Sequence, residues 1–207
     1  MNCVLAIETS TACGSLALWR DGEVRFSAVF QSARTHNSVI FGPLEEALDM
    51  AEGLEGIVVG SGPGSYTGVR VGLAVALGIA LSRGVPMIGW NSLAGISAAP
   101  LRYAVVGDAR RQQWHFTEMA GGEMIAGPTV GDAEAVAAKC AAYEGPLFTL
   151  DAQSPLFCAA RCAVPEAAVL AARAASLGLG VFAARATPLA EPIYLSAPFI
   201  TAPRVRA

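Results

Sequence analysis

Lysine is nearly absent from this 207-residue chain: Lys139 is the one lysine among 14 basic residues, and the rest are arginine. With no lysine before position 139, a P-loop ending in Gly-Lys-Ser/Thr cannot be written in the first half. The net charge of -3 argues against extensive phosphate contact by this chain alone. Histidine is as scarce, with only His36 and His115, one in each half. The five cysteines (3, 13, 140, 158 and 162) are odd in number and form no CxxC pair, so reduced thiols fit better than a disulfide framework. Cys158 and Cys162 fit one helix face, but two thiolates do not close a zinc site, and buried packing is their expected role. Long hydrophobic runs are missing too. The longest, Val71 to Leu81, lies between Arg70 and Arg83 and falls short of the ~20 residues a membrane span needs. "MNCVLAIETS" has no basic region ahead of its apolar run, so no secretory leader and a cytoplasmic location are expected.

What is present is core material, 54% of the residues being hydrophobic, enough for one large domain or two small lobes. "NCVLAIETS" reads as a buried strand. "GSLALW" and "VRFSAVF" flank Asp21-Gly22, a hairpin signal because glycine tolerates the positive φ of a tight turn. From Thr35 onward, Ile40, Leu44, Ala47, Leu48 and Ala51 follow one helical face, with Glu45, Glu46 and Asp49 opposite. Pro43 requires that helix to start late or to bend. "GIVVG" at 56–60, a loop and helix, and "PMIGW" at 86–90 complete the order β-β-β-α-β-α-β, that of a ribonuclease-H-like lobe with a mixed sheet.

After Pro100 the order recurs in weaker form. "YAVVGDAR" reads as a strand, and "QQWHFTEM" and "GEMIAGP" as a hairpin around Gly121-Gly122. A helix near 132–143, a strand in "PLFTLD" and a helix near 166–178 follow. The expected architecture is α/β, with two related lobes at 1–101 and 102–207, the second reduced.

The stretch "GSGPGSYTGVRVGLAVALGIAL" at 60–81 joins a glycine-rich loop to an apolar helix. Such a loop can offer backbone N–H groups to an anion. The dinucleotide pattern fails, however, since Gly62 and Gly64 would need glycine where Thr67 stands. In the helix, Gly68, Gly72, Ala76 and Ala80 recur every fourth residue, a face bare enough for another backbone to approach. Close packing on the chain's own sheet is the plain explanation. With Val71, Leu73, Val75, Leu77 and Ile79 filling much of the remaining circumference, a partner covering is the other.

"LAIETSTACGSLALW", "GSGPGSYTGVRVGLAVALGIAL", "VPMIGWNSL", "DARRQQWHF" and "EPIYL" together resemble the bacterial TsaB (YeaZ) family, densely over residues 4–118 and thinly beyond until 191–195. The resemblance implies two tandem ribonuclease-H-like lobes of the actin-like ATPase superfamily. It implies a subunit that partners TsaD in placing threonylcarbamoyl on the adenosine next to the anticodon of tRNA. It further implies that TsaE acts on that pair, that tRNA is met only through the complex, and that the chain forms a homodimer in isolation. No cofactor, metal or membrane is implied for the chain itself. TsaD carries two metal-ligating histidines, and the corresponding positions here are Ser92 and Ile96, neither of which replaces imidazole.

The implied partner surface comprises Ile40, Leu44, Leu48, Gly68, Val69, Gly72, Ala76 and Ala80. Glu8, Thr9, Ser10, Gly62, Gly64 and Ser65 form a vestigial nucleotide site, where Glu8 departs from the family's usual aspartate; a turn or capping role is the plainer one. Ser65 or Ser10 beside His36 lacks the elbow of a serine nucleophile. Asp108, Arg110 and Arg111 form either a solvated loop or interlobe salt bridge, or arginines facing tRNA or TsaD phosphates. Arg204 and Arg206 read as a frayed tail. The alternative function is an ATP-dependent enzyme of the actin and sugar-kinase fold, or a metallo-glycopeptidase-like hydrolase, working in the cleft between lobes.

Overall fold

The structure is a computed structural model that describes residues 1–31, 37–97, 99–151, 159–187 and 189–195. Thr35, His36, Cys158, Arg204 and Arg206 therefore lie outside the described residues.

The first three strands, β1 (Cys3–Glu8), β2 (Cys13–Arg20) and β3 (Glu23–Gln31), form an antiparallel meander. Asp21 (φ 51°) and Gly22 (φ 94°) make the tight turn expected between the last two. A 3₁₀ turn, Asn37–Ile40, leads into α1 (Phe41–Asp49). Pro43 falls in the first turn of α1, where a missing N–H costs no hydrogen bond, so the helix starts late rather than bending. Then come β4 (Gly56–Gly60), α2 (Tyr66–Arg83) and β5 (Met87–Trp90). Strands β4 and β5 add in parallel, giving the order β3-β2-β1-β4-β5.

The second half builds β6 (Arg102–Arg110), β7 (Gln113–Ala120), β8 (Glu123–Gly131), α3 (Ala133–Ala142), β9 (Leu147–Thr149), β10 (Arg161–Cys162), α4 (Ala167–Ser176) and α5 (Leu179–Arg185). Its sheet runs β8-β7-β6-β9-β10, the same order as the first, again with two antiparallel and two parallel pairings. Where one helix is expected near 166–178, Gly178 (φ 73°) stops α4 and starts α5. Cys162 lies in β10 and not on a helix.

Strand alternation sorts β1 between two cores. Leu5 and Ile7 pack with Ile57, Val59, α1 and α2 on one face. Val4 and Ala6 pack with Val58, Trp90 and α4 on the other, in a cluster that also takes in Tyr103, Val105, Met119 and Phe148 of the second sheet. The core is thus continuous across both sheets. The Tyr103 hydroxyl donates to Leu93 O (2.7 Å), Trp90 Nε1 to Gly122 O (3.0 Å), and the Ala167 N–H that opens α4 to Ser15 Oγ (2.9 Å).

Candidate functional site: the glycine loop and the helix it opens

Residues 61–65 connect β4 to α2 and lie against the turn between β1 and β2. Glu8, at the end of β1, is 1% exposed. Its Oε1 accepts the Ser10 N–H at 2.6 Å, whereas Oε2 and the buried Ser10 Oγ have no hydrogen-bond partner among the described residues. Burial pushes the Glu8 pKa up, and contacts with Ser10, Ser92 and Thr9 work against that shift. Taking a carboxyl out of water in this way favours its neutral form.

The glycines make room for this turn. A methyl group on Gly60 would strike the Glu8 carboxyl, one on Gly64 the Ser10 carbonyl, one on Gly68 the Thr9 carbonyl, and one on Gly72 the Thr9 hydroxyl. Thr9 Oγ1 donates to Gly68 O at 2.8 Å. Ser65 caps α2, its hydroxyl accepting the Gly68 N–H at 3.2 Å. The Ser65 N–H donates to Ser10 O (2.6 Å) and the Gly62 N–H to Ser92 Oγ (3.0 Å). The Gly62, Ser65 and Gly68 amides, which a phosphate cradle would use, are therefore already engaged by the chain itself.

The small-residue stripe expected at a partner surface turns inward. Ile40, Leu44, Val69, Gly72, Ala76 and Ala80 are buried in the chain, and Leu48 and Gly68 are half-buried. The backbone the stripe admits belongs to the β1–β2 turn. The face that α2 leaves to solvent carries Thr67, Arg70, Ala74, Gly78 and Leu81, bordered by half-buried Val71, Val75 and Leu77. Leu81 is 75% exposed, a methyl on Gly78 would meet nothing within 4 Å, and Phe41 at the start of α1 and Met50 just past its end are exposed. Sequence reasoning missed this second stripe because both faces are apolar and short-chained. Thr67 and Arg70 were the signal that could have oriented the helix.

Asp108, Arg110 and Arg111 sit at the β6–β7 turn, where Arg110, Arg111 and Gln112 all take positive φ (70°, 57° and 61°). For residues with a Cβ that conformation costs roughly 1–2 kcal/mol each. Asp108 holds the turn, its Oδ1 accepting the Arg110 N–H (2.6 Å) and its Oδ2 facing Arg110 Nη1 (3.2 Å). The Asp108–Arg110 pair is therefore local to the loop and does not bridge the two halves. On β7, His115 is 3% exposed, with Nδ1 3.3 Å from Thr117 Oγ1. Burial pulls its pKa down to about 4, against the opposing charge of Asp108.

Ser92 and Ile96 do not fit a metal. Ser92 is fully buried as the acceptor for Gly62, and Ile96 belongs to the central core. Among the described residues no three His, Cys, Asp or Glu side chains are grouped so as to hold a metal ion. No single helix among them is long and apolar enough to cross a membrane.

A duplicated mixed α/β sheet order, with a glycine loop closed on its own first turn, defines the class: an α/β protein of two five-stranded mixed sheets around a shared core. Comparison with known proteins agrees. Residues 31–154, well over half of the chain, match the family described as TsaD, tRNA N6-adenosine threonylcarbamoyltransferase. The chain is similar to the tRNA threonylcarbamoyladenosine biosynthesis protein TsaB of Escherichia coli, 39% identical over 95 residues (44% of this chain, 40% of that protein). It is also similar to the TsaB of Bacillus subtilis, 34% identical over 118 residues (53% and 52%). The chain thus spans about half the length, or less, of these curated relatives. Over its whole fold it is similar to a crystal structure of an uncharacterized protein with similarity to peptidase YeaZ from Pseudomonas aeruginosa. That match has a TM-score of 0.71 and 27% identity, and covers 95% of this chain and 100% of the other. The chain belongs to the threonylcarbamoyltransferase family, in its TsaB (YeaZ) branch.

Proposed function

We propose that the chain is a non-catalytic subunit that partners TsaD in transferring threonylcarbamoyl to the adenosine next to the anticodon of tRNA. The observation that carries this reading is the solvent face of α2, an 18-residue helix on which the short side chains of Ala74 and Gly78 lie between Arg70 and the exposed Leu81. A stripe with such short side chains at its middle suits side-by-side packing with a matching helix. Docking is moved from the stripe at Gly68 and Gly72 to this one. The same surface pairs two copies of the chain in isolation, and TsaE and tRNA are met through the complex, in the cytoplasm.

The lack of imidazole at Ser92 and Ile96 supports leaving the chemistry to the partner, as do the engaged amides of the glycine loop. The repeated strand order supports two ribonuclease-H-like lobes of actin-like type, 1–101 and 102–207, joined by the shared core.

The test uses the full chain with TsaD in a tRNA-modification assay. Gly78→Arg, placed in open space, is expected to leave the fold intact and to reduce association and modification at least tenfold. Gly72→Leu instead overfills the contact with Thr9 and is expected to destabilise the chain by about 1–3 kcal/mol. Unimpaired association of folded Gly78→Arg would sink the proposal.

A further inference from the structure

The segment that follows α5 is placed by contacts with β5 and the glycine loop. Just after α5, the Thr187 N–H donates to Met87 O at the start of β5 (3.2 Å). Residues 189–195 then pass along β5, the last strand of the first sheet, and over the glycine loop. A methyl group on Gly89 would lie 2.7 Å from Ala190 Cβ, and one on Gly62 3.1 Å from Ile193 O. The Ile193 N–H donates to Ser61 O at 2.7 Å. Tyr194 stacks on Tyr66, the first residue of α2, with centroids 5.2 Å apart and planes at 26°. Arg70 lies over the Tyr66 ring (5.2 Å) and donates to its hydroxyl (2.7 Å).

Glycine inside a strand marks a close approach by other backbone, and Gly89 meets that description: it is solvent-exposed and lies in the middle of β5, yet any side chain there would displace Ala190. The segment is otherwise lightly held. Leu189 is 71% exposed and Tyr66 and Tyr194 nearly half exposed, so it sits at the low-stability end of the molecule, where local opening is easiest.

We propose that residues 189–195 are a latch that fixes the glycine loop and the first turn of α2 in the arrangement a partner meets. The proposal rests on the partner reading of α2. Latch docking and partner association are then coupled: each favours the state in which Tyr194 covers Tyr66.

A size-swap on the full chain tests this. Gly89→Ala is expected to raise amide hydrogen exchange at Thr187 and Ile193 at least tenfold, with β1 amides unchanged, and to weaken association with TsaD several-fold. Adding Ala190→Gly is expected to restore both, because it removes the clashing methyl from the other side. Unchanged exchange in Gly89→Ala would show that the segment does not hold the loop, and the proposal would fall. Faster exchange with undiminished association would overturn the coupling while leaving the α2 surface standing. Wild-type chain that fails to bind TsaD at all would overturn the partner reading and the coupling with it, whatever the exchange shows.

Discussion

The two sheets repeat one strand order but differ in how they are covered. In the first, every residue of β1 is buried, with α1 and α2 on one face and α4 on the other. In the second, β9 has three residues and β10 two, β8 leaves Met124 and Ile125 exposed, and among the described residues α3 packs on the outer face over a small cluster of Ala104, Val106, Phe116 and Val136. The same topology thus serves two ends. One sheet is a rigid frame that sets the glycine loop and α2, and the other is a brace whose inner face closes the shared core.

The contrast can be broken most directly by truncating one apolar side chain in each sheet. Leu5→Ala, fully buried in the first, is expected to cost about 2–5 kcal/mol in chemical denaturation. Ile125→Ala, 50% exposed in the second, is expected to stay within about 0.5 kcal/mol. A comparable loss at both sites would mean that the brace carries as much of the stability as the frame.

Titration sharpens the comparison next, because the first sheet buries Glu8 and the second buries His115. His115 has its folded-state pKa lowered to about 4, so its contribution is complete above the unfolded value near 6.5 and is lost as pH falls. Over that interval the loss amounts to about 3 kcal/mol. Glu8 has its folded-state pKa raised, so its contribution is present at low pH and is lost as pH rises above the unfolded carboxyl value. Urea midpoints against pH should therefore flatten on the acid side for His115→Phe. For Glu8→Gln they should flatten on the neutral side, with a gain in stability there. The smallest effect is expected at Arg110. Its ion pair with Asp108 is exposed, and Arg110→Ala should change stability by under about 1 kcal/mol.

Much of the frame was legible in the sequence. The alternation in β1, the Asp21-Gly22 turn and the run from Gly56 to Trp90 each carry a local signal that tertiary contacts only reinforce. The brace was legible in outline. A two-residue β10 has no periodicity to read, and the break at Gly178 is hidden in an alanine-rich run that favours helix on both sides. The orientation of α2 was only faintly legible, since both the Gly72 and the Gly78 faces are rich in small residues and Thr67 and Arg70 alone mark the solvent side. What decided it was Thr9, whose carbonyl and hydroxyl fill the space beside Gly68 and Gly72. That contact joins residues about sixty positions apart, and no spacing rule reports it.

The hydrogen bond from Ala167 to Ser15, 152 positions apart in the chain, has a consequence for how the molecule is made. The inner side of the first sheet meets its cover only after most of the chain has left the ribosome. Until then Val4, Ala6, Ala17 and Val58 face water as an adhesive surface. A fragment ending near residue 101 would therefore be expected to aggregate rather than persist as a free lobe.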